Sequence, residues 1–250
     1  MYPILFKIGS FSFYSYGFFS ALAIVVCVLF LKKECVKNAL DFEKIFSCFF
    51  WAVLGGIIGG RLLFVIINFE EYIKEPLRIL SYREGGMAFQ GALIGGILAG
   101  YLACWIKKEP FLKICDIVAP YLALGHAIGR IGCFMNGCCY GKIVKNGIGV
   151  ILQGEAYPRV PIQLYYSIGL VIIFFILKKL LDSPKKFNGF IFLMYIIFYS
   201  FFRFFMEFFR ADNSLVFFGM TLAQVISIGT FFIGLILFVF LSRKKVYGRV

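Results

Sequence analysis

Several charged residues lie inside or at the end of strongly apolar segments, where an ionisable side chain is costly and by default marks a functional site. These residues are Arg61, His126, Arg130, Arg203, Glu207 and Arg210. A guanidinium binds a phosphate through two parallel hydrogen bonds. Because one glutamate cannot neutralise all of these arginines, the pattern favours a site for an anion, and the abundant anion of a membrane is the lipid phosphate.

The stretch GHAIGRIGCFMNGCCYG, residues 125–141, carries the only histidine of the chain. His126 and Arg130 are four residues apart and Cys133 follows after three more, so the three share a helical face. Histidine can exchange a proton near neutral pH. The stretch therefore predicts a base beside a phosphate-binding arginine. Its cysteines, Cys133, Cys138 and Cys139, are open to three readings: small buried apolar residues, a disulfide, or ligands of a soft metal together with His126.

The segment YSFFRFFMEFFR places Arg203 and Glu207 four residues apart on one helical face, and Arg210 continues that face. The simplest reading is mutual neutralisation of Arg203 and Glu207, with Arg61 and Arg210 extending toward the membrane surface. The alternative is that these arginines line the same anion site as Arg130.

The composition excludes an ordinary soluble protein. The 250-residue chain is 61% hydrophobic and only 16% charged, whereas soluble chains are about half apolar and about a quarter charged. We therefore predict an all-α polytopic membrane protein forming a single helical domain over residues 1–250. The predicted spans are Phe13–Leu31, Ile45–Ile67, Ala88–Ile106, Ile114–Met135, Ile162–Leu181, Phe190–Phe209 and Met220–Leu241.

The basic residues of the loops predict how these spans are oriented. Lys and Arg are about twice as frequent in the loops after the first, third, fifth and seventh spans as on the opposite side, which places the N-terminus outside and the C-terminus in the cytoplasm. Because this charge is spread over membrane flanks, a nucleic-acid partner is not expected. The third span is rich in glycine and is predicted to be short or partly re-entrant. G-x-x-x-G pairs in the second and third spans predict close helix packing.

Motifs along most of the chain resemble those of the prolipoprotein diacylglyceryl transferases. The signature of that family, roughly G-R-x-G-N-F-x-N-x-E-x-x-G, stands here as GRIGCFMNGCCYG. The other similar segments are FYSYGFF, LGGIIGGRLLFVIINF, GGMAFQGALIGG, PRVPIQLYYS and YSFFRFFMEFFRADN. At the positions that correspond to these motifs, we predict that Tyr16, Arg203 and Glu207 are catalytic, together with His126. The residues predicted to bind phosphatidylglycerol are Arg61, Gln90, Arg130, Asn136, Gly141, Tyr199 and Arg210.

The resemblance implies an enzyme of the bacterial plasma membrane that transfers the diacylglyceryl group of phosphatidylglycerol to a lipobox cysteine. Its partners would be the lipid and the signal peptide of an exported prolipoprotein, and neither a cofactor nor a metal is expected. Arg130 and Arg203 would bind the phosphate, and Glu207 would orient Arg203. The outer loops, Asn68–Met87 and Gly137–Pro161, would hold the substrate peptide.

The chain departs from the family pattern at three positions. Gln90 stands where the family motif G-G-x-x-x-H-G-G has histidine, and Cys133 and Cys138 replace an asparagine and a glutamate. One interpretation is that His126 replaces the missing base, and the other is that the thiol needs no protein base. Two further functions stay open at this point: a transporter of lipids or small anions, and a thiol-redox or metal protein that uses Cys133, Cys138 and Cys139.

Overall fold

A computed structural model describes residues 2–9, 11–80, 86–144, 149–151, 156–184 and 187–247. The two outer loops predicted to hold substrate lie partly outside these residues. The strands are β1 (Ile4–Ile8), β2 (Phe11–Tyr14), β3 (Leu215–Phe217) and β4 (Met220–Thr221), which form two antiparallel hairpins, β1–β2 and β3–β4. The helices are α1 (Ser15–Lys37), α2 (Phe42–Ile67), α3 (Phe69–Tyr72), α4 (Phe89–Ile106), α5 (Phe111–Asn136), α6 (Ile162–Asp182), α7 (Phe190–Glu207) and α8 (Leu222–Tyr247).

Seven of these helices are long and apolar enough to cross a membrane, and they correspond to the seven predicted spans. The main differences lie at the ends, since α1 continues to Lys37 and α8 begins at Leu222. The glycine-rich third span is a continuous helix of 18 residues, α4. The all-α polytopic fold is therefore confirmed, whereas the side of the membrane that each terminus faces stays a prediction.

The described residues form two compact units, and the division falls within α1 and α5. One unit contains residues 1–33 and 115–250, and the other contains residues 34–114.

Glycines let α2 and α4 pack against each other in the unit of residues 34–114. A Cβ atom on Gly55 would lie 2.6 Å from the carbonyl oxygen of Gly95, and a Cβ on Gly95 would lie 3.0 Å from the Cα of Gly59. Such distances leave no room for a side chain, so the two backbones are in direct contact. The G-x-x-x-G prediction is confirmed for this helix pair.

A buried carboxylate of α5 fixes the beginning of α7 in the other unit. Asp116 is fully buried, and its two oxygens accept hydrogen bonds from the backbone N–H groups of Gly189 and Phe192, at 2.9 and 3.0 Å. Gly189 has a φ of 93° and provides no side-chain cap of its own. Asp116 therefore supplies the acceptors that the first turn of a helix needs.

Replacing Asp116 with alanine should destabilise this unit. Two backbone N–H groups would lose a charged acceptor in a buried position, and a hydrogen bond to a charged group contributes about 1.5–3 kcal/mol. We expect the free energy of unfolding in detergent micelles to fall by about 2–3 kcal/mol. Asp116→Asn keeps one carbonyl oxygen and should lose less. If the free energy of unfolding is the same for Asp116→Ala and for the unchanged protein, α7 does not depend on this cap.

Candidate active site

Arg130 lies on α5, buried and directed onto an aromatic ring of α6. Only 9% of the residue is exposed, and its guanidinium carbon lies 4.4 Å from the ring centroid of Tyr166. Among the described residues, neither the buried Nε atom of Arg130 nor the buried hydroxyl of Tyr166 has a hydrogen-bond partner. Buried polar groups of this kind are normally satisfied. The two side chains therefore present donors that a bound ligand can use.

A second arginine, from α7, adds to the same cluster. Arg203 donates one long hydrogen bond, 3.4 Å, to the hydroxyl of Tyr199, and the Tyr199 ring lies 5.1 Å from the ring of His126. Arg130 and Arg203 both act electrostatically on His126 and on Tyr166. Helices α5, α6 and α7 thus bring two guanidiniums, an imidazole and two phenols together. The structure therefore assembles the predicted arginines of α5 and α7 around His126.

Glu207 does not pair with Arg203 as expected. The Oε1 atom of Glu207 accepts hydrogen bonds from Asn213 and, at 3.2 Å, from the hydroxyl of Thr221. Its Oε2 atom lies 3.7 Å from an Nη of Arg210. No ion pair joins Arg203 and Glu207 within the part of the chain that the structure describes. Because Glu207 is the last residue of α7, its carboxylate turns toward the β3–β4 hairpin. The positive charge of Arg203 is therefore not neutralised by Glu207.

Arg210 is held by two carboxylates. Its Nε and one Nη donate to the two oxygens of Asp212, each at 2.9 Å, in addition to its approach to Glu207. A guanidinium paired in this way is largely neutralised and has fewer donors left for a phosphate. The structure thus gives Arg210 a role in fixing the loop after α7, in contrast to Arg130 and Arg203.

Gly141 lies between two backbone segments and leaves no space for a side chain. Its N–H donates to the carbonyl of Val160 at 3.2 Å, and a bridge pairs it with Arg210. A Cβ atom at this position would lie 2.6 Å from the Val160 carbonyl oxygen and 3.1 Å from that of Phe209. Gly141 therefore fixes the loop after α5 against the segments before α6 and after α7.

Three thiols meet where α5 ends at Asn136. The Sγ atoms of Cys133, Cys138 and Cys139 all lie within 4.8 Å of one another. The side chain of Asn136 hydrogen-bonds to Cys138. Hydrogen bonds from the thiols of Cys133 and Cys138, aided by the nearby arginines, hold the pKa of the Cys139 thiol below its ordinary value. All eight cysteines of the chain are free thiols, so the disulfide reading is not supported.

Tyr16, at the beginning of α1, lies close to this end of α5. A Cβ atom on Gly132 would lie 3.5 Å from the Cα of Tyr16, and the Tyr16 phenol interacts electrostatically with Arg130 and with the three clustered thiols. The residue is about half exposed. Tyr16 thus joins the part of the site that contains the cysteines.

Comparison with known proteins identifies the family of the chain. The model of the family described as prolipoprotein diacylglyceryl transferase matches residues 3–240. The chain belongs to this family. The phosphatidylglycerol–prolipoprotein diacylglyceryl transferase of Clostridium tetani is 36% identical over 95% of this chain and 97% of the relative. The enzyme of the same name from Geobacter sulfurreducens is 33% identical over 98% of this chain and 96% of the relative.

Two of the positions that correspond to family motifs, Arg61 and Gln90, lie in the unit of residues 34–114. Arg61 is buried, and its guanidinium donates to the carbonyl oxygens of Arg78, Ile79 and Gly86 at 2.6, 3.0 and 3.0 Å. It also lies 5.3 Å from the ring centroid of Tyr72. These contacts tie α2 to the described positions 78, 79 and 86, so the Arg61 side chain does not extend toward the membrane surface. The predicted binding of phosphatidylglycerol by Arg61 stays a prediction. Gln90 is exposed at the beginning of α4.

The sequence reasoning missed two residues of α6 that line this transferase site. Tyr166 stacks on Arg130, and Gln163 donates through Nε2 to the carbonyl of Cys138 at 2.7 Å. The buried Oε1 atom of Gln163 has no hydrogen-bond partner within the described ranges. Both belong to the segment PRVPIQLYYS, which resembles a family motif, and they are three residues apart on one helical face. That spacing was the signal that could have identified them.

Proposed function

We propose that the chain transfers the diacylglyceryl group of phosphatidylglycerol to the thiol of a lipobox cysteine, releasing glycerol phosphate. It acts as a multi-pass enzyme of the bacterial plasma membrane, and its protein substrate is an exported prolipoprotein. The observation that carries the proposal is the pair of guanidiniums, Arg130 and Arg203, which meet in one cluster with hydrogen-bond donors left for an anion.

The proposed reaction is a displacement at carbon. The substrate sulfur attacks the glycerol carbon that carries the phosphate ester, so an S–C bond forms while the C–O bond breaks. The bonding electrons of the C–O bond leave with glycerol phosphate, whose phosphate gains negative charge during the step. Arg130 and Arg203 stabilise that charge because their positive charges are fixed in a site of low polarity.

The substrate thiol must lose its proton before it attacks. His126 is the proposed acceptor because its ring lies 5.1 Å from that of Tyr199 within the cluster. The positive charges of Arg130 and Arg203 oppose a lasting charge on the imidazole, so His126 would pass the proton on. The guanidiniums help directly, because nearby positive charge stabilises a thiolate. Tyr199 and Tyr166 are proposed to orient the lipid headgroup beside them.

Replacing His126 with alanine should lower the transfer rate by about a hundredfold, the smaller end of the range for general acid–base groups. Binding of phosphatidylglycerol should change little, because Arg130 and Arg203 remain. The measurement is kcat and KM for the lipid in mixed micelles. His126→Gln is the matched variant, since it keeps polarity but takes up no proton. Full activity in both variants would remove His126 from the mechanism.

The overall proposal is tested with phosphatidylglycerol labelled in its acyl chains and a synthetic lipobox peptide. We expect the label to appear on the peptide, and glycerol phosphate to appear in equal amount. A peptide with serine in place of the lipobox cysteine should accept no label. A folded, purified chain that transfers no label under any lipid composition would contradict the proposal.

A further inference from the structure

We propose that Cys133, Cys138 and Cys139 form a three-thiolate zinc site whose fourth position takes the thiol of the substrate. The inference rests on the proposed transferase function and names how its nucleophile is activated. It also gives a role to cysteines at two positions where the family pattern has asparagine and glutamate.

The geometry of the three thiols fits a zinc ion after a small adjustment. A Zn–S bond is about 2.3 Å long, so two sulfurs of a tetrahedral site lie about 3.8 Å apart. The three Sγ atoms already lie within 4.8 Å of one another without a metal. Small rotations about the cysteine χ1 angles, within the same rotamers, are enough to shorten the Sγ–Sγ distances to those of a zinc site.

The backbone after α5 is bent so that the thiols converge. Gly137 and Cys139 both have left-handed backbones, with φ values of 75° and 58°. A left-handed conformation is uncommon for a residue other than glycine and costs about 1 kcal/mol. The N–H of Cys138 returns to the carbonyl of Cys133 at 3.2 Å and closes the turn. An unfavourable backbone that brings a third thiol to two others is a reason to look for function there.

The surroundings compensate the charge that such a site would carry. Three thiolates and one Zn²⁺ have a net single negative charge. Arg130 acts electrostatically on Cys133 and Cys139, and Arg210 acts on Cys139. Gln163 fixes the Cys138 carbonyl at 2.7 Å, which is the kind of outer contact that orients metal ligands.

The number of ligands indicates a catalytic site. Structural zinc ions have four protein ligands, whereas catalytic zinc ions have three and an open position. In the described part of the chain, the group contains three cysteines and no histidine or carboxylate, so His126 is not a member of it. The fourth position is therefore left for a ligand that comes with the substrate.

A substrate thiol in that position would be activated for the proposed displacement. Coordination replaces the S–H bond with a Zn–S bond, and the displaced proton passes to water. The bound sulfur then attacks the glycerol carbon, the C–O bond breaks, and its electrons leave with the phosphate held by Arg130. The product is a neutral thioether, a weaker ligand than a thiolate, and it leaves the zinc. No electrons are gained or lost in the sequence.

The first measurement is metal content, which does not depend on activity. The chain is purified in detergent, stripped with a chelator and titrated with Zn²⁺, and separately with Co²⁺ as a spectroscopic probe. We expect one zinc per chain and a thiolate-to-cobalt charge-transfer absorption. Cys133→Ser, Cys138→Ser and Cys139→Ser should each weaken binding at least about tenfold. Cys48→Ser, a buried cysteine in the unit of residues 34–114, is the matched control and should bind as the unchanged chain does.

Several results would overturn the zinc site. Zinc binding that persists in all three variants would show that the metal binds elsewhere. A cobalt spectrum of the unchanged chain that lacks thiolate-to-cobalt absorption would show that the cysteines are not the ligands. A count of fewer than eight free thiols that reductant restores to eight would show a disulfide in place of the site. The absence of any binding would leave the cysteines as small apolar packing residues.

The second measurement separates this inference from the proposed function. The stripped chain should transfer diacylglyceryl about a hundredfold more slowly and recover on addition of zinc. Full activity after stripping would overturn the zinc site while the transferase function stands. Zinc binding at the three cysteines without transfer in either state would overturn both the proposed function and the role given to the fourth position.

Discussion

Arg130→Ala should lower the rate of diacylglyceryl transfer by about a hundredfold to a thousandfold, equivalent to about 2.7–4 kcal/mol. The guanidinium is buried against Tyr166, and its Nε has no hydrogen-bond partner in the part of the chain that the structure describes. Donors fixed in this way have already lost their water, so they stabilise charge that develops on the leaving phosphate more strongly than exposed donors do. The loss should appear mainly in kcat, because the negative charge increases during the reaction.

Two further variants make this prediction specific. Arg130→Lys keeps the positive charge but loses the planar fork, so it should recover only part of the rate. Arg243→Ala removes an exposed arginine near the end of α8 and should leave the rate unchanged. Thermal unfolding of each variant shows whether the fold is intact. If Arg130→Ala folds and retains most of the transfer rate, the phosphate is bound elsewhere.

The sequence could predict the seven helices because the membrane imposes a simple requirement. Each span needs about 20 apolar residues, and a window of that length can be read without any knowledge of packing. The clustering of His126, Arg130 and Arg203 followed from spacing on two helices together with the family motifs. These predictions depend on the spacing of residues within single helices, and that spacing is the same in the sequence and in the folded chain.

The wrong or incomplete predictions involve partners that are distant in sequence. Arg61 donates to carbonyls at positions 78, 79 and 86, and no periodicity within α2 points to that loop. Glu207 bonds to Asn213 and Thr221, so the four-residue spacing to Arg203 was misleading. In both cases a backbone turn after the helix decides which partner is reached. The three thiols also meet because of a backbone turn after a helix, since their convergence depends on the left-handed backbone of Cys139.

Gly141→Ala should lower the transfer rate by about a hundredfold although Gly141 has no side chain to contribute. The added Cβ would lie 2.6 Å from the Val160 carbonyl oxygen and 2.7 Å from the Val160 Cβ, so one backbone segment must move by several tenths of an ångström or more. The loop after α5 carries Cys138 and Cys139, and the opposite segment continues into α6 with Tyr166. A displacement of about 1 Å near reacting groups can cost about a hundredfold in rate.

The stability of the Gly141→Ala protein should fall less severely, by about 1–3 kcal/mol, as is usual for an overpacked site. Gly229→Ala is the matched control, because a Cβ at that position of α8 meets no atom within 4 Å. This control should keep the full rate and unfold at the same or a slightly higher temperature, since alanine favours a helix over glycine. A Gly141→Ala chain with unchanged kcat would mean that the loop after α5 moves without disturbing the reacting groups. In that case the role given to the zinc-bound substrate thiol would be contradicted, whereas binding of the metal itself would still be decided by the metal content.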